Sequence, residues 1–477
     1  FQALAERLEQ YSPQWASQVC DVPAELVEKV AREFGTIRPA VIDPGWHDPR
    51  YENSLQTQRM VAVLNAMVGN IDKPGGVSFN LAAREAKSSP PPEKRYDVLW
   101  GKKHGVMPIS VPNYMALYDA ITKGDPYPIE MAFVIGGNPI RTWSGDREWK
   151  EAFKRLKDVV VVDILPQDTT MYADVILPDA VYLEKDFPIS HVEMSLDGAF
   201  ETAVKAVDPQ FNAKAEIEIL IALTKKLGIY DRYVNALAKL LHVDAVKLKE
   251  YMDREGIRGI RRAQAEAYGI SLEEIESKGF VLKEPKEELM GTMPYKKPLN
   301  TPTGRVEIYS FLMSKMTSMF GKDPVWDPLP DWVPPKVMEE YESMKDPSVF
   351  YFVYGKSPLN SYTHTTDNKM LDSLLRPEHI GVWINTKRAK QLGIKNGDKV
   401  RVTSLATGES GITTAFVTEA IREDTAFLNT QWGHESEKLR IAHARGGVAL
   451  NKLWPFHYAR GMPGALTNEL LVKIEKV

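Results

Sequence analysis

Two short apolar runs, Met131 to Ile135 and Val159 to Asp163, flank a segment in which Trp149, Ala152, Phe153 and Leu156 fall at helical spacing. Strand, helix and strand within about 30 residues make a βαβ unit, which commits this part of the chain to a parallel sheet. The second run, Val159-Val160-Val161-Val162, does not alternate polar with apolar residues, the pattern of a parallel strand covered on both faces. Ala173-Asp174-Val175-Ile176-Leu177-Pro178 predicts a short third strand closed by proline. In a doubly wound sheet, ligands lie beyond the carboxyl ends of the strands. Here those ends carry Gly136-Gly137-Asn138-Pro139 and Asp163, so both point to one crevice. Glycine lets backbone approach a phosphate or base, and a strand-end carboxylate can accept from a ribose hydroxyl or the N–H edge of guanine. The loop is not a G-x-G-x-x-G fingerprint, so ordinary NAD binding is weakly supported. Taken alone, the crevice is either a nucleotide site or a structural turn. Gln167, Asp168, Thr169 and Thr170 add short donors and acceptors, a composition that also caps loops.

Upstream, Asp21, Pro23 and Glu25 are start signals for a helix with Val27, Val30, Ala31 and Phe34 on one face, and Arg38 to Ile42 reads as a buried strand. The loop Asp43 to His47 follows, then a helix with Met60, Leu64 and Met67 on one face that stops at Gly69-Asn70. His47 and Arg50 lie just after the strand, where an α/β protein places an active site. A polar stretch from Arg84 to Arg95 marks a crossing between domains, and residues 212 to 290 read as a charged, solvated helical layer. Five prolines between Pro324 and Pro335 predict an extended linker. From Val349 onward the texture turns to short β runs separated by turns such as Asn396-Gly397-Asp398, the pattern of a β-barrel. The expected domains are therefore 1–83, 84–323, a linker 324–348, and 349–477.

Within the last domain, Tyr362-Thr363-His364-Thr365-Thr366-Asp367-Asn368 follows Gly355 and suits phosphate oxygens without a strong positive charge, or forms a polar turn. Gln431, Trp432, Gly433, His434 and Asn451 are further polar or glycine positions amid β structure, individually uninformative. The 60 Lys and Arg against 64 Asp and Glu give a near-neutral balance, without the electrostatic footprint of a nucleic-acid binder. One cysteine, Cys20, cannot build an all-cysteine iron-sulfur cluster or a disulfide within this chain. The nine histidines are scattered without metal-ligand spacing, which counts against zinc hydrolysis, and no protein ligand to a metal is identified. No apolar run reaches the length of a membrane span. Phe1 opens directly into a helical pattern, without an initiator Met or a signal-peptide layout, which suggests a processed or truncated chain.

The order of motifs resembles the molybdopterin oxidoreductases of the dimethyl sulfoxide reductase family. The resemblance rests on Leu64 to Gly76, Gly137-Asn138-Pro139, Asp163, Thr169-Thr170, Ala173 to Pro178, Thr303-Gly304-Arg305-Val306-Glu307, Asn385 with Leu392 to Asp398, and Asn451. It is similar to the carboxyl-terminal part of the catalytic subunit, and Tyr182 to Asp186 with Gly355 to Asn368 look most like polysulfide and thiosulfate reductases. Tetrathionate and arsenate reductases are also similar.

The resemblance implies an α/β fold with Rossmann-like αβα domains, mostly parallel sheets, and a carboxyl-terminal double-psi-type β-barrel. It implies two molybdopterin guanine dinucleotides carrying Mo or W. Gly45, Gly136, Gly137, Asn138, Pro139, Asp163, Gln167, Thr169 and Asp174 would serve one side of the cofactor site. Gly355, Tyr362, His364, Thr365, Thr366 and Asn368 would line the other, with Trp432, Gly433, His434 and Asn451 closing over the pterins. His47 and Arg50 would line the funnel of a small anionic substrate. An iron-sulfur cluster is expected in an upstream part or partner, because the family's cysteine motif and metal ligand are absent here. The implied partners are the remaining amino-terminal part of the subunit, an iron-sulfur electron-transfer subunit and a membrane anchor, at the extracytoplasmic face of the membrane. Two alternatives stand beside this: an electron-transfer scaffold of the same fold without molybdenum, and a nucleotide-dependent dehydrogenase or binding module built on the βαβ unit.

Overall fold

The structure, a computed structural model, describes residues 1–43, 45, 50–71, 75–77, 95–104, 114–191, 199–282, 299, 301–320, 327–456 and 468–477. His47 and most of the expected polar crossing at 84–95 lie outside the described residues. The chain forms two compact units, each drawn from three stretches. One comprises Phe1–Gly45, Gln56–Pro91 and Asp179–Asp331; the other comprises Trp46–Leu55, Pro92–Pro178 and Trp332–Val477. These cuts differ from the sequential domains expected above, because residues 92–178 cluster with the carboxyl-terminal segment rather than with 179–323.

In the second unit, β1 (Met131–Ile135), β2 (Asp158–Asp163) and β3 (Val175–Pro178) form a parallel sheet in the order β1-β2-β3. The register sets Ile135 beside Val162 and Asp163 beside Pro178, so the carboxyl ends of the strands are level. Val159, Val161 and Val162 are buried at the centre. Trp149, Ala152 and Phe153 of the helix Asp146–Phe153 pack on the sheet, with Leu117, Tyr118 and Ile121 of the helix Tyr114–Lys123 beside them. Each such large side chain removed from water contributes about 1.5–3 kcal/mol. The pattern read from sequence as strand, helix, strand is the pattern observed.

In the first unit, β4 (Ser190–His191), β5 (Ala199–Glu201) and β6 (Phe280–Leu282) make a small antiparallel sheet. Between β5 and β6 lie the helices Glu216–Lys226, Tyr230–Leu241, Ala245–Glu255 and Ile257–Tyr268, whose shared core includes Val234, Ala238, Leu248, Met252 and Ile260, and the helix Leu272–Lys278, whose Ile275 packs with Ile189, Phe200 and Ala265. Asp244 and Ser271 cap two of these helices by accepting from Lys247 N (2.8 Å) and Glu274 N (3.2 Å).

The carboxyl-terminal segment closes into a six-stranded barrel of β7 (Val349–Gly355), β8 (Val382–Asn385), β9 (Lys399–Ser404), β10 (Ser410–Thr418), β11 (Thr425–Asn429) and β12 (Leu471–Lys476). The order around the barrel is β10-β8-β11-β7-β12-β9, with β7·β11 and β8·β10 parallel and the other pairs antiparallel. Val400 and Val402 point inward while Lys399 and Arg401 face solvent, the period-two alternation that fixes register.

Three expectations are corrected. Arg38 to Ile42 pairs with no strand among the described residues. Ile42 donates its N–H to Asn65 Oδ1 (3.0 Å) and accepts from Asn65 Nδ2 (2.9 Å), while the Ala40 carbonyl accepts from Asn70 Nδ2. Two asparagine amides thus satisfy backbone groups that a neighbouring strand would otherwise have to meet. The helix Ser54–Met67 buries Val63 and Asn65, whereas Met67 is exposed, so its packed face is rotated from the one expected. Within the expected linker, Lys336–Met344 is helical after Pro335; its Lys, Met and Glu residues are good helix formers.

Candidate functional site

The site begins where β1 ends. Gly136 turns the chain with φ +58°, a left-handed conformation that glycine adopts without a Cβ clash, and donates its N–H to Val162 O at 2.9 Å. Gly137 follows, and Pro139 starts a single helical turn, Pro139–Thr142. Asn138, at 6% exposure, sends its side chain to the next strand's loop. Its Oδ1 accepts from Thr169 N (3.0 Å) and Thr169 Oγ1 (2.8 Å), and its Nδ2 donates to Gln167 Oε1 (3.1 Å) and Asp168 Oδ2 (3.3 Å).

Beyond β2, Asp163 is 5% exposed. Its Oδ1 accepts from Leu165 N (3.2 Å), and its Oδ2 is buried with no hydrogen-bond partner among the described residues. Burial pushes its carboxyl above the ordinary value, against the backbone N–H of Leu165 and the nearby charge of His364. The short 3-10 turn Asp168–Tyr172 then buries Asp168, Thr169 and Thr170. Asp168 Oδ1 accepts from Glu435 N (2.7 Å) and Ser436 N (3.0 Å), and its Oδ2 meets His434 Nδ1 at 2.7 Å. Burial alone would raise this carboxyl, but the bond to His434, the Ser436 N–H and the charge of Arg141 hold it well below the ordinary range.

The barrel supplies the facing loops. Gly355 ends β7 where an added Cβ would lie 2.8 Å from the Phe427 ring. In the loop that follows, Thr366 is buried, His364 and Thr365 are half-buried, and Tyr362 is exposed with φ +51° and Lys356 Nζ 3.7 Å from its ring centroid. Thr365 Oγ1 accepts from Ser361 N (2.8 Å), and Asn368 Oδ1 caps the helix Lys369–Asp372 by accepting from Met370 N (3.0 Å) and Leu371 N (3.1 Å). After β11, Gly433 has φ +87°, and an added Cβ would lie 2.3 Å from Ala449 N. Trp432 is buried and donates its indole N–H to His379 O at 2.7 Å.

Asn138, Asp163, Gln167, Thr169, His364, Thr366, Trp432, Gly433, His434 and Asn451 therefore belong to one polar region of the second unit. Asp174 takes a different place: it is exposed, and its Oδ2 accepts from Val159 N at 2.7 Å, tying β3 to β2. Gly45 is exposed, with its N–H on Asp43 Oδ1 at 2.7 Å. Arg50 is half-buried with its guanidinium carbon 4.9 Å from the Tyr354 ring centroid, and its Nε is buried without a partner among the described residues.

Sequence reasoning missed Arg141. It is 5% exposed and donates to Thr430 O (3.1 Å), Trp432 O and Asn451 Oδ1 (3.3 Å), joining the loop after β1 to two loops of the barrel. Asn451 Nδ2 returns to Ile140 O (2.7 Å) and Asp146 Oδ1 (3.2 Å). Asn360 Oδ1 was also missed; like Nε2 of Gln431, a position the sequence offered only as an individually uninformative polar residue, it is buried without a partner among the described residues. Nothing local in the sequence marks these three, because their partners or the space they face are set by the closed barrel.

The molybdopterin oxidoreductase family matches residues 11–226, and the molydopterin dinucleotide binding domain matches residues 350–465. The thiosulfate reductase molybdopterin-containing subunit of Salmonella typhimurium is 24% identical over 515 residues, covering 100% of this chain and 63% of that protein. A dimethyl sulfoxide reductase of Escherichia coli is 28% identical over 499 residues, covering 98% of this chain and 57% of that protein. The chain thus spans about three fifths of the length of these curated relatives. Acetylene hydratase from Pelobacter acetylenicus shares the fold, with a TM-score of 0.78 at 18% identity, covering 100% of this chain and 66% of that one. By these matches the chain carries the molybdopterin oxidoreductase and molydopterin dinucleotide binding domains.

Proposed function

We propose that the chain is the carboxyl-terminal part of the catalytic subunit of a bis(molybdopterin guanine dinucleotide) oxidoreductase that reduces polysulfide, thiosulfate or a related sulfur oxyanion by two electrons. The observation that carries the cofactor reading is the Asp163 Oδ2, a buried carboxylate oxygen at a strand end with no partner among the described residues. A buried acceptor left unmade costs about 1–3 kcal/mol, so a fold that keeps one is built to meet a donor from a ligand. The amide and imino N–H groups of guanine are such donors. Gln431 Nε2 and Asn360 Oδ1, a donor and an acceptor in the same condition, fit a large polar ligand in the same unit. The donor set thus suits the dinucleotide.

In this reading Asp163 holds a guanine edge. Asn138, Thr169 and Gln167 hold the two strand-end loops at fixed spacing. Gly433 permits backbone to lie where any side chain would collide. When bound, the cofactor supplies two-electron exchange at a Mo or W ion held by dithiolene sulfurs. Arg50 presents a fixed cation to an anionic substrate, where it would stabilise charge developing on a leaving sulfide. His47, which lies outside the described residues, is assigned to the same substrate by its place in the sequence. The likeness to a thiosulfate reductase subunit supports sulfur-compound reduction as the activity. We assign the remaining partners by the same likeness: the rest of the catalytic subunit, an iron-sulfur subunit carrying the cluster, and a membrane anchor at the extracytoplasmic face. No helix of the described residues is long and apolar enough to cross a membrane, so attachment would come from the anchor.

The test is elemental analysis for Mo, W and Fe on the protein isolated with its accompanying chains, together with assay of guanine nucleotide released on denaturation. Metal with about two guanine nucleotides per complex supports the bis-dinucleotide enzyme, the number two dithiolene ligands require. Iron without Mo, W or guanine nucleotide would leave only a scaffold.

A further inference from the structure

We propose that Asp168 is the positioning residue of the cofactor site: its carboxylate fills an anion-binding nest in the loop after β11 and latches that loop, which carries Gly433, to the two strand-end loops. The functional consequence rests on the cofactor reading above; the latch itself does not. Two successive backbone N–H groups, those of Glu435 and Ser436, converge on one oxygen, Asp168 Oδ1, at 2.7 and 3.0 Å. Converging N–H groups of this kind form a concavity that binds anions. Here the anion is the protein's own carboxylate, at 2% exposure. Its second oxygen, Oδ2, meets His434 Nδ1 at 2.7 Å and accepts from Asn138 Nδ2 at 3.3 Å. One side chain of the loop after β2 thus ties the loop after β11 to the loop after β1.

Four donors surround the two oxygens, and an ionised carboxylate meets them all with lone pairs and no competing hydrogen. Against the pull of burial, the bond to His434 and the Ser436 N–H hold this carboxyl well below its ordinary range, so it stays ionised. Hydrogen bonds to an ionised acceptor are roughly twice as strong as neutral ones. The neighbouring fastening between the same two loops is neutral: Ser436 Oγ donates to Pro166 O at 2.7 Å. The loop has little room to settle elsewhere, because Gly433 N donates to Gly446 O at 2.9 Å and a Cβ on Gly433 would strike Ala449. A loop released at Glu435 and Ser436 therefore shifts Gly433, which the cofactor reading places over the pterins. Each oxygen of Asp168 already meets two donors, so Asp168 acts through the loop it holds rather than by touching a ligand.

The test uses the protein isolated with its cofactor and follows two readouts: the rate at which guanine nucleotide is released, and hydrogen exchange by mass spectrometry over residues 433–436. Asp168→Asn keeps the shape but presents one acceptor oxygen in place of two; Asp168→Ala empties the nest. Release is expected to be about tenfold faster in Asp168→Asn, the loss of one charge-assisted hydrogen bond, and faster still in Asp168→Ala. Exchange over 433–436 should rise in the same order, with β11 unchanged. Val402→Ala weakens the barrel core itself and should release nucleotide at the parent rate. Release from Asp168→Asn no faster than from Val402→Ala overturns the proposal, because a merely structural role predicts that equality. Should Asp168→Ala fail to fold, the isosteric Asp168→Asn decides alone. A parent protein without guanine nucleotide, but with exchange over 433–436 raised in Asp168→Asn, sinks the cofactor reading and leaves the latch standing. Unchanged exchange there sinks the latch, whatever the nucleotide does.

Discussion

Replacing Arg141 with Met removes a fork that satisfies three buried acceptors, the carbonyls of Thr430 and Trp432 and the side-chain oxygen of Asn451. Each buried acceptor left without a donor costs about 1–3 kcal/mol, so the gross loss is roughly 3–9 kcal/mol. Two effects oppose it. The guanidinium is held in a buried place that lowers its own affinity for a proton, and its Nε already lacks a partner among the described residues, so removing it relieves a desolvation cost. Met fills much of the vacated volume. The net is about 3–5 kcal/mol, the range found when one member of a buried charged network is deleted. For a unit of this size each kcal/mol lowers the midpoint by about 2–4 °C, so a fall on the order of 10 °C is expected. Thermal melting followed by tryptophan fluorescence reports on it directly, because Trp143, Trp149 and Trp432 lie in the same unit. Arg141→Lys keeps the charge but not the fork and should recover less than half of the loss. A fall under about 3 °C in Arg141→Met would mean that the fork does not hold the loops together, and the account of the site's rigidity would fail.

Asp163 binds its proton more tightly folded than unfolded, so its ionisation weakens the fold as pH rises from 3.8 through the raised value. Guanine N–H donors favour the ionised form; retention of guanine nucleotide should therefore improve as pH rises through that range, and Asp163→Asn should abolish the trend and lower retention at least about tenfold, as measured by nucleotide content. Asp168 has the opposite sign: its depressed carboxyl contributes stability that is full above its ordinary value of 3.8 and disappears as pH falls toward the folded value. Acid unfolding followed by circular dichroism should steepen below about pH 4, and the slope should be shallower in Asp168→Asn, the other depressed carboxylates such as Asp424 and Glu435 keeping their share. Gly433→Ala places a Cβ 2.3 Å from Ala449 N at φ +87° and should cost more than about 3 kcal/mol in denaturant titration, whereas Gly279→Ala, left-handed at φ +78° with its nearest neighbour, Thr202 O, at 3.7 Å, should cost about 1 kcal/mol. Arg50→Ala should lower turnover with metal content retained; unchanged turnover removes Arg50 from the mechanism.

Much of the fold was legible because burial and period agree locally. Val159 to Val162 form a strand whichever way the rest of the chain packs, and Val400 with Val402 alternate against Lys399 and Arg401 as barrel residues must. Arg38 to Ile42 misled because an extended apolar segment looks alike whether its backbone meets a strand or two asparagine side chains, and Asn65 and Asn70 lie more than 20 residues on. The strand-end part of the site was readable, since Gly136, Asn138 and Asp163 sit where a parallel sheet places its ligands. Asp174 carried a motif's weight in sequence but bonds the backbone of Val159 in the fold. Arg141 was invisible for the converse reason: its acceptors on Thr430 and Trp432 are about 290 residues away and exist only once the barrel has closed.

The order of strands around that barrel has a consequence for how the chain reaches its folded state. β12, residues Leu471–Lys476, pairs with β7 on one side and β9 on the other, so the ring has a gap until residues 471–476 have been synthesised. During elongation β7 and β9 both present bare edges, the condition in which strands of different molecules join. Emergence of β12 covers both at once. Pulse-labelled chains halted before residue 470 should bind a chaperone and aggregate, while chains extended past 477 by a flexible tether should be released, making β12 the strand at which the barrel becomes safe from its neighbours.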